Sequence, residues 1–307
     1  MDSAREMIPS PLNYTGGKFK LLQQLLPHFP DGIDTFVDLF CGGGNVGINV
    51  TAERVVLNDN NAHLLSLYQA FRALGSERVL DMIDAFIRQY GLSRTPEHGY
   101  AFYDCNSSAG LANYNRTAFL RMREDFNNRQ EADDSYYIML YTLIVFAFNN
   151  QIRFNKAGVF NLPVGKRDFN DRMKNKLRAF IDRLQAGDFI FSCTDFREID
   201  LTKLTEQSLV YCDPPYLITC ATYNEQGGWN EPCEHDLLAL LDELDRRTIK
   251  FALSNVLRSK GKENRILTDW LSRRKYRVVR FNYSYANANY QTKDKTGNSE
   301  EVLIMNY

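Results

Sequence analysis

The apolar run Thr35-Phe36-Val37-Asp38-Leu39-Phe40 stops abruptly at Cys41-Gly42-Gly43-Gly44, which predicts a buried parallel strand running into a tight turn. After a stretch that reads as helical, 45–50, a second apolar strand over 54–59 ends on the carboxylate Asp59. Leu64, Leu67, Tyr68, Phe71 and Leu74 then fall at the spacing of an amphipathic helix. Strand, glycine turn, helix, strand, helix is half of a doubly wound α/β fold, in which ligands bind beyond the carboxyl ends of the strands.

From about 75 to 185 the pattern changes to longer helical stretches with Asn-rich connections. Tyr136–Phe148 predicts a buried helix, and alternation around Lys156-Ala157-Gly158 predicts a β-hairpin with polar tips. The α/β pattern resumes with strands over 188–196 and 208–216, a helix over 235–244 and a strand over 250–256. A helix ending near Leu271 and strands over 276–285 and 300–307 complete it. The expectation is a discontinuous α/β domain, 1–60 and 186–307, into which a mainly helical module carrying a β-hairpin, 61–185, is inserted.

A chain of 307 residues, 44% apolar and 24% charged, has the proportions of a globular protein and the length for a core domain with a smaller second one. Tyr136–Phe148, the longest apolar stretch, is well short of the roughly 18–20 residues that cross a bilayer. The N-terminus has no basic segment followed by an apolar one, so no membrane association and a cytoplasmic location are expected. The six cysteines (Cys41, Cys105, Cys193, Cys212, Cys220 and Cys233) form no Cys-x-x-Cys pair, and only four histidines accompany them; reduced thiols and no metal site are expected.

Net charge is −1, which argues against a non-specific nucleic-acid coat. Yet from Arg246 to Arg280 twelve Lys and Arg stand against two acids, Glu263 and Asp269. Clustering of this kind suits phosphate-backbone binding, although a solvated helical face has the same composition.

The most specific chemical feature is Asp213-Pro214-Pro215-Tyr216, directly after the apolar strand Leu209-Val210-Tyr211-Cys212. Consecutive prolines remove two N–H donors and fix φ, so the strand must stop and its terminal carboxylate, carbonyls and ring are held at the sheet edge. Elsewhere the tetrapeptide could be an ordinary turn. At this edge it suits a planar exocyclic amine, whose lone pair is delocalised into its ring. A carboxylate and a fixed carbonyl accepting the two N–H bonds draw such a nitrogen towards tetrahedral geometry and free the lone pair for attack. Asp213 and the Pro214 carbonyl are the candidate acceptors and the Tyr216 ring the candidate stacking surface, with no covalent enzyme intermediate.

In Asp38-Leu39-Phe40-Cys41-Gly42-Gly43-Gly44 the glycines let the backbone approach a ligand, and Asp59, fifteen residues after Gly44, is placed to bond ribose hydroxyls. Nucleoside binding is expected, without the Gly-x-Gly-x-x-Gly of a dinucleotide site. Asn13-Tyr14-Thr15-Gly16-Gly17-Lys18 is not a phosphate loop, since neither the full motif nor a preceding strand is present.

Taken in order, Tyr14-x-Gly-Gly-Lys18, Phe40-Cys-Gly-Gly-Gly44, Asp59, the segment 149–165 and Asp213-Pro-Pro-Tyr216 resemble the Dam-type (D12 class) DNA N6-adenine methyltransferases. The likeness covers nearly the whole chain and is closest to the T-even phage branch, judging by FVDLFCGG, YCDPPYLIT, SNV after KF, and GKEN over 261–264. It implies a Rossmann-like methyltransferase sheet with an inserted target-recognition domain. It also implies S-adenosylmethionine as cofactor, held by Tyr14, Lys18, Asp38, Phe40, Cys41, Gly42, Gly44, Asp59, Asp195, Phe196 and Asp213. The implied substrate is double-stranded DNA with the target GATC, methylated on a flipped adenine. The recognition hairpin falls on Asn149 through Gly165, with Asn149, Asn150, Gln151, Arg153, Asn155 and Pro163 as candidate DNA contacts. The resemblance places the family's base-reading arginine on Arg153, and Arg is the side chain that bonds guanine O6 and N7 bidentately in the major groove; an Arg that only touches phosphate is the alternative. Asp38-Leu39 stands where the family commonly has Glu-Pro, and Gly43 where another small residue is frequent.

Lys166 and Arg167, together with the Arg246 to Arg280 cluster, would grip backbone on either side of an extruded adenine, by a monomer or weak dimer on DNA. Rival readings are a methyltransferase for another amine (N4-cytosine, an RNA adenine or a protein glutamine) and an inactive site-specific DNA-binding protein on the same fold. Asp rather than Asn or Ser before Pro-Pro-Tyr, and the intact tetrapeptide, speak against them.

Overall fold

The computed structural model describes residues 6–14, 16–219, 228–281 and 300–307. They form two compact units: one gathers the residues up to Phe19, Gly42–Asn49 and Asn61–Phe191, the other Lys20–Cys41, Val50–Asn60 and those from Ser192 on.

The first unit is built on helices α1 (Ala62–Leu74), α2 (Ser76–Tyr90), α3 (Ala112–Asn128), α4 (Asp134–Phe146) and α5 (Asp171–Ala186). The Asn61 side chain caps α1 by accepting from Leu64 N, and Gly75 at φ +77° separates α1 from α2. Helix α4 is buried at every position from Ile138 to Phe146, and α1, α2 and α3 all pack on it. A helix surrounded on all sides has no polar face, which is why Ile138–Phe146 is apolar but for Thr142, whose hydroxyl donates to Ile138 O. It stops at Phe146 rather than Phe148 because Ala147 turns extended and bridges Val164.

The 45–50 stretch is a series of turns, with Ile48 N bonded to Gly44 O at 3.0 Å, rather than the expected helix. Its asparagines serve the N-terminal segment instead: Asn45 Oδ1 accepts from Ser10 N at 3.0 Å, and Asn49 bonds both the N–H and the carbonyl of Ile8 at 2.8 Å. Short polar side chains that bond a neighbouring backbone compete with the helix ladder.

The second unit is a sheet. Strands β1 (Thr35–Asp38), β2 (Arg54–Asn58), β4 (Leu209–Cys212) and β5 (Lys250–Ser259) run parallel in the order β2-β1-β4-β5, and Ser192, which ends β3 (Asp188–Ser192), accepts from Asp59 N. Beyond β5 lie β8 (Glu300–Met305), antiparallel to it, and β7 (Arg277–Phe281) at the edge. Of the strand expected over 276–285, the part after Phe281 falls outside the described residues.

Not anticipated from the pattern is β6 (Lys262–Glu263), which folds back on β5 through Lys260 and Gly261, both at positive φ. Helices α6 (Glu231–Arg246) and α7 (Arg265–Ser272) put Leu237, Leu241, Leu244 and Leu267 into one buried cluster with Val37, Val210, Phe251, Leu253 and Ile304 of the strands. The result is a mixed α/β structure with a central, mostly parallel sheet, consistent with the Rossmann-like class. Among the described residues no helix is long and apolar enough to cross a membrane. Among the described residues Cys41, Cys105, Cys193, Cys212 and Cys233 form no disulfide; Cys220 lies outside them.

Candidate active site

The carboxyl ends of the parallel strands bring together most of the expected chemistry of the second unit. Asp38 ends β1 and is buried, as is Asp59, which directly follows β2. The turn leaving β1 is pinned twice, Leu39 N donating to Tyr211 O at 2.9 Å and Cys41 N to Asn58 O at 2.8 Å. Asn58, which the sequence pattern did not single out, is the central pin. Its Nδ2 donates to Leu39 O (3.0 Å) and Thr194 O (3.1 Å), and its Oδ1 accepts from Thr194 N and Oγ1. An inward amide at a strand end looks like any polar residue in the sequence; only its three neighbours reveal it.

Phe40 and Phe196 meet at 5.4 Å between ring centroids, and Trp229 closes the group at 5.6 Å from Phe40 and 5.5 Å from Phe196. Trp229 was not foreseen. Its indole donates to Glu234 Oε2 at 2.6 Å, while the other oxygen of that fully buried carboxylate accepts from Asn264 (2.7 Å) and Asn255 (3.3 Å). Three neutral donors compensate the buried charge. Asp195 is less available than expected: it caps the turn at Phe196–Glu198 and pairs with Arg197, whose guanidinium lies 4.5 Å above the Phe196 ring.

Asp213 leaves β4 half-buried, followed by buried Pro214 and exposed Pro215. The Tyr216 hydroxyl donates towards Asp213 Oδ1 at 2.9 Å and lies 3.3 Å from Oε1 of Glu301, a buried carboxylate on β8. The tyrosine therefore sits back on the carboxylate it follows. The buried Tyr211 hydroxyl is pushed far above the usual phenol range, first by burial and then by the charges of Asp213, Asp38 and Glu301. Those three carboxylates thus share one neighbourhood.

On the first unit, Tyr14 O accepts from Gly17 N in a tight turn, and buried Lys18 reaches Gly16 O at 3.4 Å. Tyr14 packs on the glycine turn. Gly42 has φ +44°, and a Cβ there would lie 2.8 Å from the Tyr14 ring; Gly44 has φ +71° with Phe180 beside it. Tyr68 locks the turn by donating to Gly42 O at 2.8 Å.

The segment 149–165 is a hairpin closed at its base and tip but not laddered between. Ala147 bridges Val164 and Phe154 bridges Phe160, while Asn149 and Asn150 take positive φ. Arg153 is exposed, with Nε 3.4 Å from Asn161 Oδ1. Asn155 spends its side-chain oxygen on the tip, accepting from Ala157 N and Val159 N, and Asn150 donates to the carbonyls of Ile144 and Val145. Gln151 is half-buried, whereas Asn149, Pro163, Lys166 and Arg167 are exposed. Next to them Asp168 is buried and accepts from Thr95 N (2.6 Å) and Oγ1 (2.8 Å), which anchors the hairpin's exit.

The basic run of the second unit is more neutral than its sequence. Arg246 and Arg247 pair with Glu243, Arg274 with Asp242, Arg258 with Glu263 and Arg280 with Glu300. Three of those acids lie outside the run: Glu243 is one helical turn before Arg246 and Arg247, whereas Asp242 and Glu300 reach Arg274 and Arg280 through the fold.

A mostly parallel sheet whose carboxyl edge carries buried Asp38 and Asp59, an aromatic group and an Asp-Pro-Pro-Tyr terminus defines a mixed α/β class of protein. The chain belongs to the D12 class N6 adenine-specific DNA methyltransferases, whose family pattern it matches over residues 14–291. It is 40% identical to the type II methyltransferase M.FokI of Planomicrobium okeanokoites over 306 residues, 98% of this chain and 43% of that protein. It is 39% identical to the modification methylase StsI of Streptococcus sanguinis over 313 residues, all of this chain and 44% of that protein. The chain thus spans less than half the length of these two relatives. With the DNA adenine methylase of Escherichia coli (strain K12) it shares 26% identity over 298 residues, 96% of this chain and 94% of that one.

Proposed function

We propose that the chain transfers the methyl group of S-adenosylmethionine to N6 of an adenine extruded from duplex DNA. The observation that carries this reading is Asp213, presented at the end of buried β4 and immobilised by Pro214 and Pro215, in a chain of the adenine-specific family. Residues 1–60 and 186–307 bind cofactor and perform the chemistry, and 61–185 recognise the target.

The residues present suit the cofactor. Phe40, Phe196 and Trp229 form an aromatic group that fits an adenine, and Asp59 is a buried strand-end carboxylate that fits ribose hydroxyls. Gly42 and Gly44 take positive φ, which side-chain-bearing residues adopt only at a cost, and the turn is left without side chains at both positions. Bound S-adenosylmethionine supplies an electrophilic methyl on a sulfonium. Asp213 and the Pro214 carbonyl accept the two N–H bonds of the target amine and orient its lone pair, and Asp213 draws off the proton the nitrogen loses as it gains the methyl. Tyr216 supplies the stacking ring.

Exposed Arg153 reads a guanine, and Lys166 and Arg167 hold phosphates. The target is GATC, as the Dam-type resemblance implies, methylated by a monomer or weak dimer as a modification enzyme. Incubation with labelled S-adenosylmethionine and unmethylated duplex, followed by mapping of the modified base, tests the reading. N6-methyladenine in GATC is the expected product; no transfer refutes the activity, and another sequence context refutes the target alone.

A further inference from the structure

Glu301 has no part in the chemistry above, yet it is the second acceptor beside the Tyr216 hydroxyl. A hydroxyl carries one proton. With Asp213 Oδ1 at 2.9 Å and Glu301 Oε1 at 3.3 Å, the Tyr216 proton is given mainly to Asp213 and has an alternative within a small rotation. The two acceptors are of different standing. Asp213 follows β4 at the exposed sheet edge and must receive the substrate amine, whereas Glu301, on β8 opposite Val256 and Phe281, is 1% exposed and receives nothing from solvent.

We propose that Glu301 is a positioning residue to which the Tyr216 hydroxyl is handed over when the target amine takes its place on Asp213. This rests on the methyl-transfer reading. Glu301 gives this partly buried hydroxyl a second acceptor when Asp213 is engaged, and keeping a buried polar group bonded avoids a cost. With Glu301 already beside it, the hydroxyl changes acceptor with little movement. Tyr216 stays tethered while its ring meets the base, and the carboxylate is released to the amine. No bond is made or broken in the handover; one hydrogen bond replaces another.

The test is epistasis in single-turnover methyl transfer. Glu301→Met keeps the length and removes the acceptor, so Tyr216 holds Asp213; the rate should fall tenfold or more while cofactor and DNA affinities, read by calorimetry and fluorescence anisotropy, stay within twofold. Glu301→Gln, whose neutral amide oxygen still accepts but more weakly than a carboxylate, should lose about two- to threefold. Tyr216→Phe keeps the ring without the hydroxyl, and adding it to Glu301→Met should restore the rate to that of Tyr216→Phe alone. A packing role for Glu301 would not be relieved in this way.

Glu301→Met at the wild-type rate, or a double variant no faster than Glu301→Met, overturns the handover. Should Glu301→Met fail to fold, Glu301→Gln decides: a fall seen in wild type but absent in the Tyr216→Phe background supports the handover, and an equal effect in both, or none in either, overturns it. If wild type transfers no methyl to any duplex, it is the underlying activity that has failed.

Discussion

The ring of Tyr14 occupies the space that a Cβ on Gly42 would need, its nearest atoms standing 2.8 Å from that position. Gly42 also has φ +44°, a conformation costing an L-residue about 1–2 kcal/mol. Gly42→Ala should therefore lower stability by at least that amount and push Tyr14 off the turn. Chemical denaturation reads the first effect and calorimetric titration with S-adenosylmethionine the second. An alanine variant with wild-type stability and cofactor affinity would show that the turn tolerates a side chain.

Asp213→Ala should abolish methyl transfer without unfolding the chain. In the proposed reaction the carboxylate is the acceptor for the amine, while Pro214 and Pro215 still end β4. Losing an electrostatic acceptor of this kind costs on the order of a hundredfold or more in rate. Near-normal single-turnover rates in the folded variant would remove Asp213 from the chemistry.

For the pocket, Asp59→Ala should weaken S-adenosylmethionine by about 1–3 kcal/mol, the scale of hydrogen bonds to a charged group. DNA affinity without cofactor should barely change. Unaltered cofactor affinity in a calorimeter would make Asp59 a purely structural end to β2.

Arg153→Ala should lose roughly tenfold to a hundredfold in discrimination at one base position, as expected of a bidentate guanine contact worth about 1–3 kcal/mol. Removing Lys166 or Arg167 should instead weaken all sequences alike and flatten the salt dependence by about one phosphate each. A duplex panel with each base of GATC altered in turn separates the two. Full retention of guanine preference by Arg153→Ala would assign the reading elsewhere.

Thiol chemistry offers a pH test. Burial raises Cys41 well above the ordinary thiol range, with Asp59 and Asp38 adding to it, and burial likewise raises Cys212. A raised pKa keeps both as unreactive thiols at neutral and mildly alkaline pH. In a Cys220→Ser chain, maleimide at pH 8 should label exposed Cys193 while Cys41 and Cys212 react only on unfolding. Rapid labelling of Cys41 in the native protein would contradict its burial.

Local information was enough for much of this architecture. The apolar runs of β1, β2, β4 and β5, the stripe of α1 and the prolines after Asp213 each act over a few residues, so periodicity and backbone chemistry declare them in the chain itself. The same holds for the predominantly apolar stretch Ile138–Phe146 of α4, whose burial on all sides is written in its composition. Where the readings diverged, distant partners decided. The 45–50 stretch gives up a helix because Asn45 and Asn49 find Ile8 and Ser10. The Arg246 to Arg280 run loses part of its charge to Asp242 and Glu300, which lie 32 and 20 residues from Arg274 and Arg280. Asn58, Trp229 and Glu301 show why a site is harder to read than its scaffold. A hydrogen bond or ring contact depends on a few ångströms of three-dimensional distance, and Glu301 stands 85 residues from Tyr216 along the chain. Only the alignment of β8 against β5 brings that carboxylate to within 3.3 Å of the Tyr216 hydroxyl.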